Sequence, residues 1–496
     1  MSQRYLSRSI LFPCFLPHMI ISDKACPSVG CKATPNPNDR CLQGTYKGRR
    51  SNEMELNEAL VMANPWVMQI HDQLNNNETS SEMQQWSKQS IYKVPACIKD
   101  LNRKAYKPQV VSFGPFHHGD PDVTPMEEHK LRALVHFLKR AKRQLDEFVA
   151  AMKEVVPQLQ DAYQGLDEQW KDKERFLQLM ILDGCFMLEI MRAATGASSD
   201  YAFNDPIFSS HGMLYTVPYI KRDMMMIENQ LPLLALDRLV SVETSKPKHE
   251  DYINKLVLKF CVPPNERSPT PIVGLGLHPL DLFRKSLLSE PVHRSAASSA
   301  EQGSSEIIRS AIELYEAGIR FKKSKNNSLR DISFHHGVLS LPVIVVDDAT
   351  EYMFLNLMAF ERLHFGAGNE VTSYVFFMDN IIDSAKDVSL LHSKGIIQNA
   401  VGSDKAVAKL FNSLSKDVVL DPESCLDEVH RKVNKYCRKN INMWRANLIH
   451  TYFRSPWATL SLAAAIFLLV LTVLQTIYTI MPYYVNSDAL AAPSPQ

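Results

Sequence analysis

Apolar residues along this 496-residue chain are spaced in three ways, and each spacing predicts a different element. The first is an unbroken run. From Trp457 to Met481 no residue is charged, and none is Gly or Pro. As a helix rising about 1.5 Å per residue, the run is roughly 37 Å long, enough to cross a hydrocarbon core of about 30 Å with some tilt. Its few polar side chains are Ser, Thr and one Gln, which can bond within the helix. Trp457 at one end and Tyr478, Tyr483 and Tyr484 at the other stand where interface anchors stand. The competing reading is a buried core helix, but globular helices of this length nearly always carry charges.

The second spacing is helical. Thr124-Pro125-Met126-Glu127 reads as a helix start, with Thr124 as cap, Pro125 in the first turn and Glu127 completing a capping box. Leu131, Leu138, Leu145 and Met152 then recur every seven residues, with Leu134, Ala141, Phe148 and Val155 between them. This is the spacing of a bundle seam, or of a short coiled coil. Lys139, Arg140, Lys142 and Arg143 form its solvated side, with a localisation signal as the alternative. Arg175 to Arg192 is apolar nearly all round and predicts a central buried helix, inside which Asp183 needs a donor. Met224 to Leu239 continues the pattern, with Pro232 expected to kink it and Glu228-Asn229-Gln230 in its middle. Three polar side chains in an apolar run predict an internal hydrogen-bond network; a ligand site is the alternative. Further helices are expected over Glu306–Lys322, from a cap at Asp348 or Thr350 to His364, over Val371–Leu391 and over Ser403–Leu414. From Ser424 to Phe453, Leu426, Val429, Val433, Cys437, Ile441, Trp444, Leu448 and Tyr452 share a face opposite Arg431, Lys432, Lys435, Arg438 and Lys439. Such a helix either rests on the protein body or lies on anionic lipid, with Trp444 and Arg454 at the interface.

The third spacing is extended. Ile91 to Pro95 and Val110 to Phe113 read as extended, being apolar and bounded by Pro, followed by a turn-rich loop, Gly114 to Gly119. Asp331 to Asp347 alternates β-formers around His335-His336-Gly337 and predicts a small hairpin. The chain is therefore expected to be mainly α: a large helical domain with a small β-hairpin and a C-terminal transmembrane helix. Residues 1–53 are a disordered leader or a gene-model extension, with a signal peptide as the alternative; Arg4 and Arg8 precede an apolar run that Pro13, Pro17 and His18 interrupt. Residues 54–90 form a polar segment. The helical domain covers 91–423 with a disordered insertion at 289–305, followed by an amphipathic juxtamembrane helix at 424–453, the span at 457–481 and a short tail at 482–496.

Charge changes the picture in two ways. Lys+Arg total 55 against 54 Asp+Glu, so the chain lacks the basic footprint of a nucleic-acid binder. Locally, Arg438, Lys439, Arg445 and Arg454 precede Trp457, and no Lys or Arg follows Met481. The positive-inside rule then places the body in the cytosol and the tail across the membrane, inserted post-translationally. The scattered Cys97, Cys185, Cys261, Cys425 and Cys437 read as buried reduced thiols, in keeping with a cytosolic body. An extracellular body is the alternative; it would open the sequons Asn77-Glu78-Thr79 and Asn326-Asn327-Ser328.

Candidate chemistry is sparse. The chain has no Gly-x-Ser-x-Gly, His-Glu-x-x-His, phosphate loop or Gly-x-Gly-x-x-Gly. His117-His118 and His335-His336 each offer at most one metal ligand, because adjacent side chains on extended backbone point to opposite faces. Asp347-Asp348 resembles a Mg²⁺ pair, but Asp348 is better explained as a helix cap. No catalytic, cofactor-binding or metal-ligating residue is assigned, and no cofactor is expected. The expected partners are membrane lipid, through 457–481, and an unidentified protein. The alternative is an enzyme using Glu228-Asn229-Gln230 or Asp347-Asp348. A pocket where these converge would favour it, and packing of Glu228 and Gln230 against backbone would not.

Four blocks carry a resemblance: Val111-Ser-Phe-Gly-Pro-Phe-His-His-Gly119, Asp223-Met-Met-Met-Ile-Glu-Asn-Gln-Leu-Pro232, Leu277-His-Pro-Leu-Asp-Leu282 and Leu341-Pro-Val-Ile-Val-Val-Asp-Asp-Ala-Thr-Glu351. Gly395-Ile-Ile-Gln-Asn399 with Gly402-Ser-Asp404 adds a fifth. In order and spacing, from Ile91 onwards, they resemble the plant domain-of-unknown-function 247 family. Leu355 and Arg362 depart from it, standing where the family more often has Arg and Gln. The resemblance implies a largely helical, membrane-attached plant protein and brings no known catalytic activity. Some members of that family are associated with pollen-side determinants of grass self-incompatibility.

Overall fold

One helix organises the packing, and its sequence explains why. In the computed structural model, Lys173–Ala194 is helical, capped by the Asp172 carboxylate on Glu174 N (3.1 Å), and buried over most of its circumference. A helix apolar all round can only be satisfied at the centre of a body. The structure describes residues 65–76, 83, 86–100, 102–196, 200–246, 249–262, 272–288, 308–416, 426–448 and 456–489. Two units are distinguished. In the first, residues 1–78, helix α1 (Pro65–Asn76) is described.

The second unit, from Thr79 onwards, holds the remaining elements. Its principal helices begin with α2 (Met126–Ala141), α3 (Leu145–Lys153), α4 (Lys173–Ala194), α5 (Leu233–Thr244), α6 (Glu250–Cys261) and α7 (Pro279–Leu287). After α8 (Ala311–Glu316) come strands β1 (Arg320–Lys323), β2 (Ser333–His335), β3 (Val338–Leu341) and β4 (Ile344–Val346). Then follow α9 (Thr350–Leu363), α10 (Glu370–Ile381), α11 (Ala385–Ser393), β5 (Ile397–Asn399), α12 (Asp404–Leu414), α13 (Asp427–Cys437), α14 (Asn440–Leu448) and α15 (Pro456–Ala489). A hydrophobic core runs from Ile91 to Cys437, with α4 packed against α2, α3, α5 and α6.

The expected hairpin is β2–β3, with Phe334 opposite Leu339. Its two-residue turn, His336-Gly337, has positive φ at both positions (49° and 77°). That is the primed-turn geometry matching the twist of the flanking strands, and Gly adopts it without strain. β1 pairs with β3 in parallel, making a three-stranded mixed sheet. A second, two-stranded parallel sheet joins β4 to β5.

Several sequence expectations need correction. The capping box at Thr124 does not form: the Thr124 hydroxyl donates to the Asp120 carbonyl (2.9 Å), Pro125 takes the cap position and Glu127 pairs with Lys130 (2.7 Å). The seven-residue repeat is not one helix. Lys142 turns left-handed and ends α2, and a capping box of Gln144 with Glu147 starts α3. Leu131 and Leu145 are accordingly 57% and 42% exposed, while Leu134, Phe137, Phe148 and Met152 are buried. Pro232 does not kink a helix; residues 225–232 are non-helical and α5 begins after it. Of the helix expected over Glu306–Lys322, α8 forms over Ala311–Glu316, a turn follows it, and β1 begins at Arg320. Val371–Leu391 divides at Ser384, whose hydroxyl joins Asp387 in a capping box. Ser424–Phe453 divides into α13 and α14 at Arg438-Lys439. The expectations for residues 1–53, for 289–305, for Arg454, for the Tyr483 and Tyr484 side chains, for Cys425 and for the Asn77 sequon lie outside the described residues.

Within α15, Trp457–Met481 spans 25 residues and none of it is buried. This helix is long and apolar enough to cross a membrane, and it is not a helix of the core.

Candidate functional site

Residues 109–114 belong to no strand, so their backbone groups must be satisfied some other way. Side chains do it. Asp223, on the last turn of the helix Val217–Met224, accepts from Gln109 N (3.0 Å), Val110 N (2.7 Å) and Val111 N (3.1 Å) through one oxygen. Asn229 accepts from Phe113 N (2.7 Å) and donates to Val111 O (3.0 Å) and Asp223 O (3.0 Å). Asp183 of α4 accepts from Gly114 N (2.7 Å) and pairs with the ammonium of Lys130 (2.6 Å), which also donates to Ser112 O (2.6 Å). Lys130, Asp183, Asp223 and Asn229 have no solvent exposure.

The same loop reaches further. Gln230 donates to Met224 O (2.6 Å) and Met226 O (2.7 Å), and its Oε1 accepts from Leu280 N (3.0 Å) at the start of α7. Its backbone carbonyl accepts from the Tyr163 hydroxyl (3.0 Å). Asn356 of α9 accepts from Ile227 N (3.0 Å) and donates to Ala105 O (2.8 Å). His278 caps α7 by accepting from Asp281 N (3.2 Å); its other ring nitrogen, 3.0 Å from Ser90 O, must then carry the proton.

Glu228 is the group with the most chemistry around it. One oxygen accepts from Val94 N and lies 2.8 Å from Lys99 Nζ. The other lies 3.2 Å from His117 Nε2, off the hydrogen-bonding angle, while His117 Nδ1 meets Asp120 (3.2 Å). Burial works against ionising Glu228, but His117, Lys99 and Val94 outweigh it and hold the carboxyl below its usual range. Burial pushes Asp223 and Asp183 the other way, against the backbone donors on both and against Lys130 on Asp183. Burial also lowers His278 to about 4.

The structure thus brings Asp183 and Asn229 together on residues 109–114 and turns Glu228 and Gln230 to other backbone segments. Asp347 and Asp348 lie apart on an exposed turn; Asp347 bonds Thr350 Oγ1 (2.7 Å) and Ala349 N (3.1 Å), and Asp348 is not the cap. His118 packs edge-on against Trp170, and His335 and His336 belong to the hairpin. Among the described residues no group of three or more His, Cys, Asp or Glu could hold a metal ion. A surface hollow beside this segment is lined by Arg103, Lys104, Lys107, Pro108, Gln109 and Asp122, of which Lys107 and Asp122 pair at 2.6 Å. Cys97, Cys185, Cys261 and Cys437 are free thiols; Cys97 is exposed, against the expectation of burial, while burial raises Cys261 to about 12.

Near the apolar helix, Trp457 is exposed, and on α14 Ile441 and Trp444 are 80% and 76% exposed. Sequence reasoning missed Asp223, Lys130, His278 and Asn356. Asp223 could have been found: it opens the same apolar block and stands alone in it as an acid before Glu228. Lys130 sits among charged neighbours that conceal it.

A family model described as "Plant protein of unknown function", DUF247, matches residues 91–471. Among curated proteins, UPF0481 protein At3g47200 of Arabidopsis thaliana is 32% identical over 82% of this chain and 89% of its own length. Putative UPF0481 protein At3g02645, also of Arabidopsis thaliana, is 24% identical over 83% of this chain and 93% of its own length. No solved structure matches. The segment 109–114, the Asp223–Pro232 loop that clasps it and the apolar helix as far as residue 471 all fall inside the matched region, and the chain belongs to the plant DUF247 family.

Proposed function

We propose that this chain is a single-pass membrane protein whose helical body, held on the cytosolic side, acts through contacts with a protein partner in recognition or signalling. The carrying observation is the exposed apolar helix Trp457–Met481. Basic residues before it favour a cytosolic body, and the exposed Ile441 and Trp444 beside Lys439 and Arg445 suit the headgroup region of a bilayer. The polar loop 228–230 spends its amides on the protein's own backbone, which favours a scaffold over a ligand site. The self-incompatibility role of some relatives falls within this reading.

The test is fractionation with topology mapping. The full chain should float with membranes, and protease added to sealed vesicles should remove an epitope on the body while sparing one on the tail. A chain that stays in the supernatant overturns the anchor; the reverse protection pattern overturns the cytosolic body.

An enzymatic reading has one supporting observation, the meeting of Lys99, His117 and Glu228. It requires a Glu228→Gln protein that keeps its fold and loses a measured activity.

A further inference from the structure

The polar side chains of the apolar helix are not scattered. Ser461, Ala465, Leu468, Thr472, Gln475 and Thr479 follow one another at steps of four and three residues, and Thr476 flanks them. That alternation keeps all of them on one stripe of a helix, the seam spacing of left-handed helix pairs. Thr459, at the start of the run, lies off it. The opposite side carries Thr459 at its start and then Ile466, Val470, Val473 and Ile477.

The hydroxyls on the stripe need no partner from outside. Ser461 donates to Ala458 O (2.9 Å), Thr472 to Leu468 O (2.8 Å), Thr476 to Thr472 O (2.8 Å) and Thr479 to Gln475 O (2.7 Å). The Gln475 side-chain amide differs: among the described residues it makes no hydrogen bond, and the protein's own body does not cover this helix. In hydrocarbon an amide with neither its donor nor its acceptor satisfied is costly, and lipid tails offer neither.

We infer that Gln475 and its stripe form a transmembrane contact with a second copy of this chain. Electrostatic complementarity decides the occupant. An amide presents an N–H donor and a C=O acceptor side by side, so it is complementary to another amide facing it. A two-fold axis along the membrane normal brings Gln475 of each copy to the same depth, where each N–H donates to the other's carbonyl. Ala465 and the back-bonded Thr472 and Thr479 are compact enough for the backbones to approach. The inference rests on Trp457–Met481 being a membrane span.

The test uses the full chain, labelled in separate batches with a donor or an acceptor fluorophore and reconstituted at high lipid dilution into phosphatidylcholine vesicles. Energy transfer above the level of random encounters is expected. Gln475→Leu should weaken association about three- to twenty-fold, the range measured for interhelical hydrogen bonds in membranes. Gln475→Asn should retain most of it, and Ile477→Leu on the opposite side should change nothing. Oxidative cross-linking should be efficient with Thr472→Cys and poor with Ile477→Cys. Transfer at the random level, or equal transfer in wild type and Gln475→Leu, overturns the contact; a Gln475 satisfied only by another membrane protein would give that first result. If the chain does not float with the vesicles, the anchor itself has failed. If it floats without transfer, only the pairing has failed.

Discussion

Asn229 stands to Phe113 as a neighbouring strand would. Its carbonyl oxygen accepts from Phe113 N at 2.7 Å, and its amide donates to Val111 O at 3.0 Å. One side chain thus supplies both halves of a ladder step to a segment that has no sheet. Asn229→Leu should leave one buried N–H, of Phe113, and one buried carbonyl, of Val111, unmet, while Asp223 O keeps Met226 N (3.3 Å). At about 1–3 kcal/mol for each buried group left unmet, an overall loss of roughly 3 kcal/mol is expected, read as a lower denaturation midpoint at unchanged m-value. A change under roughly 0.5 kcal/mol, typical of surface sites, would mean that water replaces the amide.

Lys130 and Asp183 make a pair with neither side chain exposed. Lys130→Met should cost about 3–5 kcal/mol, because it leaves a buried carboxylate with only the Gly114 N–H. Asp183→Asn keeps an acceptor for Gly114 and leaves the ammonium with Glu127 (2.7 Å) and Ser112 O (2.6 Å). The double variant should therefore lose less than the sum of the two, and strict additivity in a double-mutant cycle would show that the charges do not interact.

Gly114 tests how closely the loops approach. It has φ +72°, and a Cβ there would lie 2.7 Å from the Tyr163 hydroxyl and 2.8 Å from Gln230 O. Gly114→Ala should cost about 1–3 kcal/mol for the backbone conformation, with crowding added to it. Combining it with Tyr163→Phe, which removes the nearer oxygen, should recover part of the crowding and none of the backbone cost.

His278 should make stability depend on pH. Burial lowers it to about 4 in the folded chain, from an ordinary value of 6.5. Between those values the unfolded chain binds a proton that the folded chain refuses, so stability is full above about 6.5 and falls as the pH drops towards 4. The loss from this residue is on the order of 3 kcal/mol. His364 and His430 are also lowered by burial and add to the slope. The comparison that isolates His278 is therefore with His278→Asn, which can still cap α7; its profile should be flatter over that interval.

What the chain order discloses depends on how local the cause is. The central helix and the apolar run need only their own composition, and the hairpin needs His336-Gly337 between two short apolar strands. The β4–β5 sheet joins Ile344 to Ile397 in parallel, and no local feature of either segment names the other. The caps failed for a related reason. Thr124 and Glu127 had the right spacing, but Asp120 and Lys130 competed for them in space. Glu228-Asn229-Gln230 was visible as three polar residues in an apolar setting. Their targets, Val94, Phe113 and Leu280, lie on separate segments that the local pattern does not connect.

The clasp around residues 109–114 also limits how this chain can be altered by recombination. Asp223 and Asn229 are useful only while a bare backbone lies opposite them, and that backbone is tolerable only while they are present. A chimaera that imports one of the two stretches from a relative and leaves the other behind would need matched atoms at every one of these contacts, so the two should be exchanged together or not at all.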